Sequence, residues 1–341
     1  MFKQKEYVKS HFQWGIMFFF LLLFILTTTL LSAQKKESYD SVLASDCYVE
    51  FKFQNDFFFK TDYYYSNGLV FNFIFPDFKK SPISRVLIPV RTARLNYYGI
   101  SIEQALFTPV HTYSENVSFN DRPYSSVLYV GHKRTSFIPE TRTKIVNEII
   151  IGVIGRYSFG YDTQAYFHRA INNDIPAGWS NQVANDLILN YEYDIELEIF
   201  SNKFMEFIGK TVVRAGTLYD DALVGMKLRL GYFNPNYTGF GQIKTNRKDG
   251  VGLKKFQIYA SINPSAKMVV YNGTLQGGLF NKNSPFILVH DEIKPVVLQL
   301  KSCFVLQYSS FQLQLESTML SPEFIGGRSH KWASVGLQFN F

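Results

Sequence analysis

Between Leu187 and Ile199, apolar Leu187, Leu189, Tyr191, Tyr193, Ile195, Leu197 and Ile199 interleave with Asn190, Glu192, Asp194, Glu196 and Glu198. A side-chain period of two means a strand. An ordinary soluble strand runs about five or six residues, whereas a strand that crosses a bilayer needs about 9–11. This stretch exceeds the first length and meets the second. Four acidic residues on one parity, Glu192, Asp194, Glu196 and Glu198, would be costly in a packed core. A wet or hydrogen-bonded barrel lumen tolerates them, with the apolar parity turned to lipid.

The same pattern recurs. Val49, Phe51 and Phe53 alternate with Glu50, Lys52 and Gln54; Phe311, Leu313 and Leu315 alternate with Gln312, Gln314 and Glu316. The chain ends with Val335, Leu337, Phe339 and Phe341 on one parity. That end resembles the closing strand of bacterial outer-membrane barrels, which the barrel-assembly machinery reads. Predicted strands cover 46–56, 64–75, 95–106, 124–136, 143–154, 186–200, 205–217, 221–232, 255–272, 293–308, 310–320 and 330–341. The expected fold class is therefore all-β: a transmembrane antiparallel β-barrel of about twelve strands, an even number as bacterial barrels have. A soluble β-sandwich or lipocalin-like barrel is the alternative, and the strand lengths and lumen charges fit it less well.

Lys3, Lys5 and Lys9 precede an apolar run from Phe18 to Leu31, and Ser32-Ala33 offers a small residue for cleavage. The run suits a signal peptide, with an uncleaved anchor as the alternative. The expected division is 1–33 signal peptide and 34–341 one barrel domain, exported to the bacterial outer membrane. The net charge of +7 is scattered, without a nucleic-acid-binding motif, and suits contact with anionic headgroups instead. Cys47 and Cys303 fall on opposite parities of separate strands and read as free thiols.

If both termini are periplasmic, the connections near 57–63, 107–123 and 155–185 are extracellular. The first carries FQNDFFFKTDYYYSNGLVFNF, residues 53–73, where carboxylates, amides and hydroxyls sit among aromatics. Asp56 shares parity with Glu50, Lys52 and Gln54, and Ser66 shares parity with Asn72, so both are expected to point into the lumen at the extracellular lip. The aromatics are expected to form the headgroup-level girdle. NDRPY (120–124) and AYFHRAINNDIPAGW (165–179), with His168, Arg169 and Asp174, fall on the same rim. Each has an ordinary reading taken alone: turn chemistry for Asn55-Asp56, a structural strand for Ser66-Asn67-Gly68, a surface histidine for His168. Their convergence on one rim points to a site at the level of lipid headgroups and acyl esters.

NDFFFKTDYYYSNGL (55–69), QALFTP (104–109), NDRPYSSVLYVG (120–131), IGVIG (151–155), FHRAIN…GW (167–179) and GMKLRLG (225–231) together resemble the outer-membrane lipid A 3′-O-deacylase family. The resemblance spans most of the exported chain. It implies a twelve-stranded barrel and a calcium-dependent esterase that removes the 3′ acyloxyacyl chain of lipid A in the outer leaflet. The partners it implies are lipid A within lipopolysaccharide and the outer membrane, with no nucleic acid. Asn55, Asp56, Ser66 and His168 align with the family's active-site positions, His168 as the general base. It implies Ca2+ near Asp56 and Asn55, with Asp174 a third candidate ligand, and Arg122 and Arg169 as candidates for the phosphates. Two features depart from the pattern. Asp174 stands, shorter and out of register, where the family carries a glutamate. The basic pair of the second outer loop is not evident between Val110 and Asn120. A non-catalytic barrel, a narrow pore or adhesin, is the competing function. Segment 76–94 is long for a periplasmic turn, and the sequence offers no reason for it.

Overall fold

The structure, a computed structural model, describes residues 42–43, 47–59, 61, 63–240 and 254–341. The expected signal segment, 1–33, lies outside them. Twelve strands run in order: β1 (Tyr48–Asn55), β2 (Tyr64–Ile74), β3 (Leu95–Thr108), β4 (Ser125–Ile138), β5 (Thr143–Ile154) and β6 (Asp186–Ser201). Then follow β7 (Met205–Gly216), β8 (Tyr219–Tyr232), β9 (Phe256–Asn272), β10 (Val296–Tyr308), β11 (Phe311–Leu320) and β12 (His330–Asn340). Each pairs antiparallel with the next, and β12 pairs with β1, from Ala333–Asn55 to Asn340–Tyr48, which closes the barrel. Closure leaves no edge strand to meet lipid with unsatisfied backbone. The short strand Val42–Leu43 adds parallel to Leu95–Asn96. Among the described residues no helix is long and apolar enough to cross a membrane.

Alternation sets the two faces. On β6, Leu187, Leu189, Leu197 and Ile199 are exposed on the outside. Asp194 and Glu196 point into the lumen, where Lys210 meets them at 2.6 and 3.2 Å and Lys227 meets Glu196 at 2.8 Å. The acidic parity is thus balanced by lysines of β7 and β8, around an internal cavity of about 560 Å³. The lumen is filled towards both ends. Tyr65, Phe107, Val127 and Ile154, and beside them Tyr64, Leu275, Leu288 and Phe324, pack the extracellular side. From the periplasmic side, Phe240 packs against Tyr48, Leu95, Tyr97 and Phe137.

Three segments break the plain barrel. The loop 155–185 carries helix α1 (Gly160–Ala170), and a single turn α2 (Gly273–Gln276) caps the lumen beside β9. The periplasmic segment 75–94 does not hang free. It folds up against the outer wall: Ser84 Oγ lies 2.7 Å from His132 Nε2, and Ile88 N–H donates at 2.9 Å to Tyr191 Oη, which in turn donates to Asn147 Oδ1 at 3.3 Å.

Candidate active site

α1 lies across the outside of the barrel, not over its mouth. Its start sits on β4: a Cβ added to Gly160 would come 2.3 Å from Ser126 Oγ, so only glycine allows this approach. Its first turns cross β3, where Thr163 Oγ1 donates to Gln104 Oε1 at 3.0 Å. Its last turn reaches β1, with the Phe167 and Phe53 rings 5.8 Å apart. Gln104 and Phe53 belong to the outward parity, alternating with lumenal Glu103 and Lys52. Gly160, Gln164, Ala165 and His168 form the buried stripe of the helix, the spacing of one helical face. Trp179 closes the far side, donating from Nε1 to Gln164 Oε1 at 2.7 Å and packing with Leu106 and Tyr124.

Beneath the helix one row of paired residues runs across four strands: Asn55 on β1, Asn67 on β2, Leu106 on β3 and Ser126 on β4. All four face outward, yet all are buried. Two asparagines on a lipid-facing row are affordable because the helix covers them.

Ser66 reaches this face through a β-bulge. The pairing of β2 with β3 slips between Tyr65 and Asn67, leaving Ser66 as the extra residue. Its hydroxyl lies 2.6 Å from that of Thr108, which alternates with lumenal Phe107. The expectation that Ser66 points into the lumen is therefore corrected: a bulge resets the parity. The same slip turns Tyr65 inward, where it stacks on Trp332. Tyr64 packs on Phe324, so these two tyrosines plug the lumen, while Phe57 and Phe58 stay exposed. Only part of the aromatic run is positioned for the expected girdle.

Asn55 and Asp56 make the tight turn at the end of β1. Asn55 Oδ1 accepts from Phe57 N–H at 2.7 Å, and Asp56 Oδ2 accepts from Tyr63 N–H at 2.9 Å. Both side chains are buried. Asp56 lies beyond the last paired residue of β1, so strand parity does not assign it to the lumen.

His168, 4% exposed, faces the wall from the last turn of α1. Its Nδ1 lies 2.5 Å from the carbonyl oxygen of Asp174. A carbonyl only accepts, so Nδ1 carries the proton and Nε2 keeps the lone pair in the neutral ring. Asp174 acts here through its backbone; its side chain is exposed.

Arg122 does not face the membrane. Its Nη1 donates to Glu323 Oε2 at 2.6 Å, its Nη2 donates to Thr274 Oγ1 at 2.7 Å, and its guanidinium lies 4.3 Å from the Phe107 ring centre. That places it inside the extracellular plug, which corrects its expected role as a phosphate ligand. Arg169 is exposed beside His168 on α1. Burial would raise the Glu323 carboxyl, but the charges of Arg122 and Lys267 outweigh it and hold the group down to about 2. Its stabilising contribution is thus complete above the unfolded carboxylate value and is lost as pH falls through about 2. Glu323→Gln should destabilise the barrel by about 3–5 kcal/mol, the usual result of orphaning a buried charge. The check is the temperature of heat-modifiable gel migration at neutral pH, which should fall.

Asn67 was not among the expected site residues. Its Oδ1 is buried and makes no hydrogen bond among the described residues. The sequence held one sign of it, an amide on the apolar parity of Leu69, Phe71 and Phe73. Asn55, Asp56, Ser66 and Asn67 make an all-oxygen set of donors, the type that calcium takes. Groups of three or more His, Cys, Asp or Glu suited to a metal are absent among the described residues, so a cation here would draw on amide, hydroxyl and backbone oxygens beside the single carboxylate of Asp56.

The profile of a family described as outer membrane protein LpxR matches residues 17–341. The chain belongs to the LpxR family. Among solved structures, LpxR from Salmonella typhimurium superposes with a TM-score of 0.67 at 19% identity, covering 86% of this chain and 99% of that one. The β domain of the Bordetella autotransporter BrkA matches with a TM-score of 0.41 at 8% identity, covering 87% of this chain and 99% of that one. Among curated proteins none matches. This LpxR-family chain is a closed outer-membrane β-barrel, and its twelve expected strands agree with the observed ones to within three residues at each end.

Proposed function

We propose that this LpxR-family protein is a lipid A 3′-O-deacylase working on the outer wall of its barrel. The observation that carries the reading is the covered polar row beneath α1. It lies towards the extracellular end of the strands on the lipid-facing side of the wall, the level at which the outer leaflet holds its acyl esters. Exposed Tyr157, Phe159, Tyr161 and Tyr166 on and before α1 suit headgroup-level anchoring around it.

In this reading, the lone pair of His168 Nε2 takes a proton from water as its oxygen attacks the ester carbonyl carbon. The Asp174 carbonyl keeps the ring oriented and favours the imidazolium that forms. The carbon–oxygen bond to the sugar then breaks, and His168 returns the proton to the leaving alkoxide. The products are a free acyloxyacyl acid and a 3′ hydroxyl on lipid A. Calcium, held by oxygens of Asp56, Asn55 and Asn67, would polarise the carbonyl. Ser66 holds the wall beneath the reacting ester, its hydroxyl tied to Thr108. Arg169 is placed to meet a lipid A phosphate. The packing at both ends of the lumen argues against the alternative of a narrow pore.

Mass spectrometry of lipid A from cells with and without the protein tests the reading. A mass loss equal to one 3′ acyloxyacyl group is expected. Unchanged lipid A beside a folded, surface-exposed barrel would refute it.

A further inference from the structure

A second covered polar row lies on the outer wall, near the periplasmic end. Tyr98 on β3, Arg134 on β4, Asn147 on β5 and Tyr193 on β6 are paired in register. All four share the lipid-facing parity, and all are buried. Nearer the middle of the wall, the same faces carry bare apolar residues: Ile102, Val130 and Ile151 are 38%, 48% and 47% exposed. The difference is the segment 75–94, which covers the lower wall. Leu87 and Ala93 are buried against it, and Asn147 Nδ2 donates to the Ile88 carbonyl at 3.4 Å. This is the physical role of a connection too long for a periplasmic turn.

Arg134 is the anomaly in that row. It is 7% exposed, and its Nε and Nη2 are buried without a hydrogen-bond partner among the described residues. Among them it has no carboxylate within salt-bridge distance either. An uncompensated guanidinium on a lipid-facing wall is among the more expensive arrangements a membrane protein can hold. The strap supplies no anion: its single acidic residue, Asp77, is paired with Lys80 at 2.6 Å. Lys79, Arg85 and Arg91 are exposed on it, with Val86 and Ile83 exposed beside them. Exposed cations next to exposed aliphatic side chains make an interfacial segment that draws anionic headgroups.

Depth selects the source of the anion. Arg134 stands four residues above Ile138, the end of β4; at about 3.4 Å per residue and a tilt of about 40°, that is about 10 Å above the strand end. That is the headgroup and glycerol level of the inner leaflet, which faces the periplasm. Arg134 shares the lipid-facing parity of exposed Val130, so an anion reaching it comes from the membrane side of the wall and not from the lumen.

We infer that Arg134, under the 75–94 strap, is a binding site for the phosphate of an inner-leaflet glycerophospholipid. The guanidinium provides paired donors for phosphate oxygens. The strap cations add attraction, and Val86 and Ile83 meet the acyl chains. The site is distinct from the candidate active site, which lies at the other end of the strands and under a different covering segment.

The full-length protein, reconstituted into vesicles of phosphatidylethanolamine and phosphatidylglycerol and extracted in mild detergent, should retain a phospholipid in native mass spectrometry. Arg134→Gln should lower that occupancy about tenfold, with heat-modifiable migration showing a folded barrel. Phosphatidylglycerol carrying a photoactivatable diazirine on its glycerol should label the wild-type protein mainly within 75–94 and the lower half of β4. That measurement needs no variant and holds even if Arg134→Gln fails to fold. Equal lipid retention by folded wild type and Arg134→Gln, or labelling spread evenly around the barrel, would overturn the inference. So would displacement of the lipid by inorganic phosphate alone, which would assign the site to a free anion.

Discussion

His168→Ala is expected to leave a folded barrel whose lipid A cleavage is slower by about two to four orders of magnitude, the usual contribution of a positioned acid–base group. The fold should survive because α1 is attached at points other than the imidazole. Gly160 rests on Ser126, Thr163 is bonded to Gln104, and Trp179 is clamped to Gln164. The imidazole Nδ1 meets the Asp174 carbonyl at 2.5 Å, a contact that ties down a loop end rather than a strand. The measurement is a single-turnover assay on reconstituted protein, with heat-modifiable migration as the folding control. A folded variant that cleaves at near the wild-type rate would remove His168 from the mechanism and direct attention to Ser66 as nucleophile.

Chelation is expected to abolish deacylation, and added calcium to restore it. Asp56→Asn should raise the calcium concentration needed for half-restoration by about 10–100-fold, since Asp56 is the one carboxylate among the four clustered donors. The substitution preserves the local turn, because an asparagine oxygen can still accept from Tyr63 N–H as Asp56 does at 2.9 Å. A loss of activity that calcium cannot offset would make Asp56 a structural residue. Full activity of the wild type in excess chelator would dismiss the cation altogether. The two variants separate the chemistry: His168→Ala should not change the calcium requirement of whatever activity remains, whereas Asp56→Asn should change little else.

Strand identity was legible in the sequence because alternation is a local property, repeated over ten or more residues in each segment. Glu192, Asp194 and Glu196 against Leu187, Leu189 and Leu197 determine which face meets lipid without reference to any other part of the chain. The motifs around Asn55, Ser66 and His168 likewise mark the candidate site residues. Only the tertiary structure decided on which side of the wall they meet. One extra residue at Ser66 reverses the side-chain direction on either side of it, and a bulge depends on how β3 pairs with β2, not on β2 alone. Arg122 reads as an exposed cation in a polar rim motif until the fold brings Glu323, distant in sequence, to 2.6 Å. The polar residues Asn67, Asn147 and Arg134 sit on apolar parities where a bare strand would face lipid. They can stand there because α1 and the 75–94 segment fold back over the outer wall, and covering is a contact between elements that no period along a strand encodes.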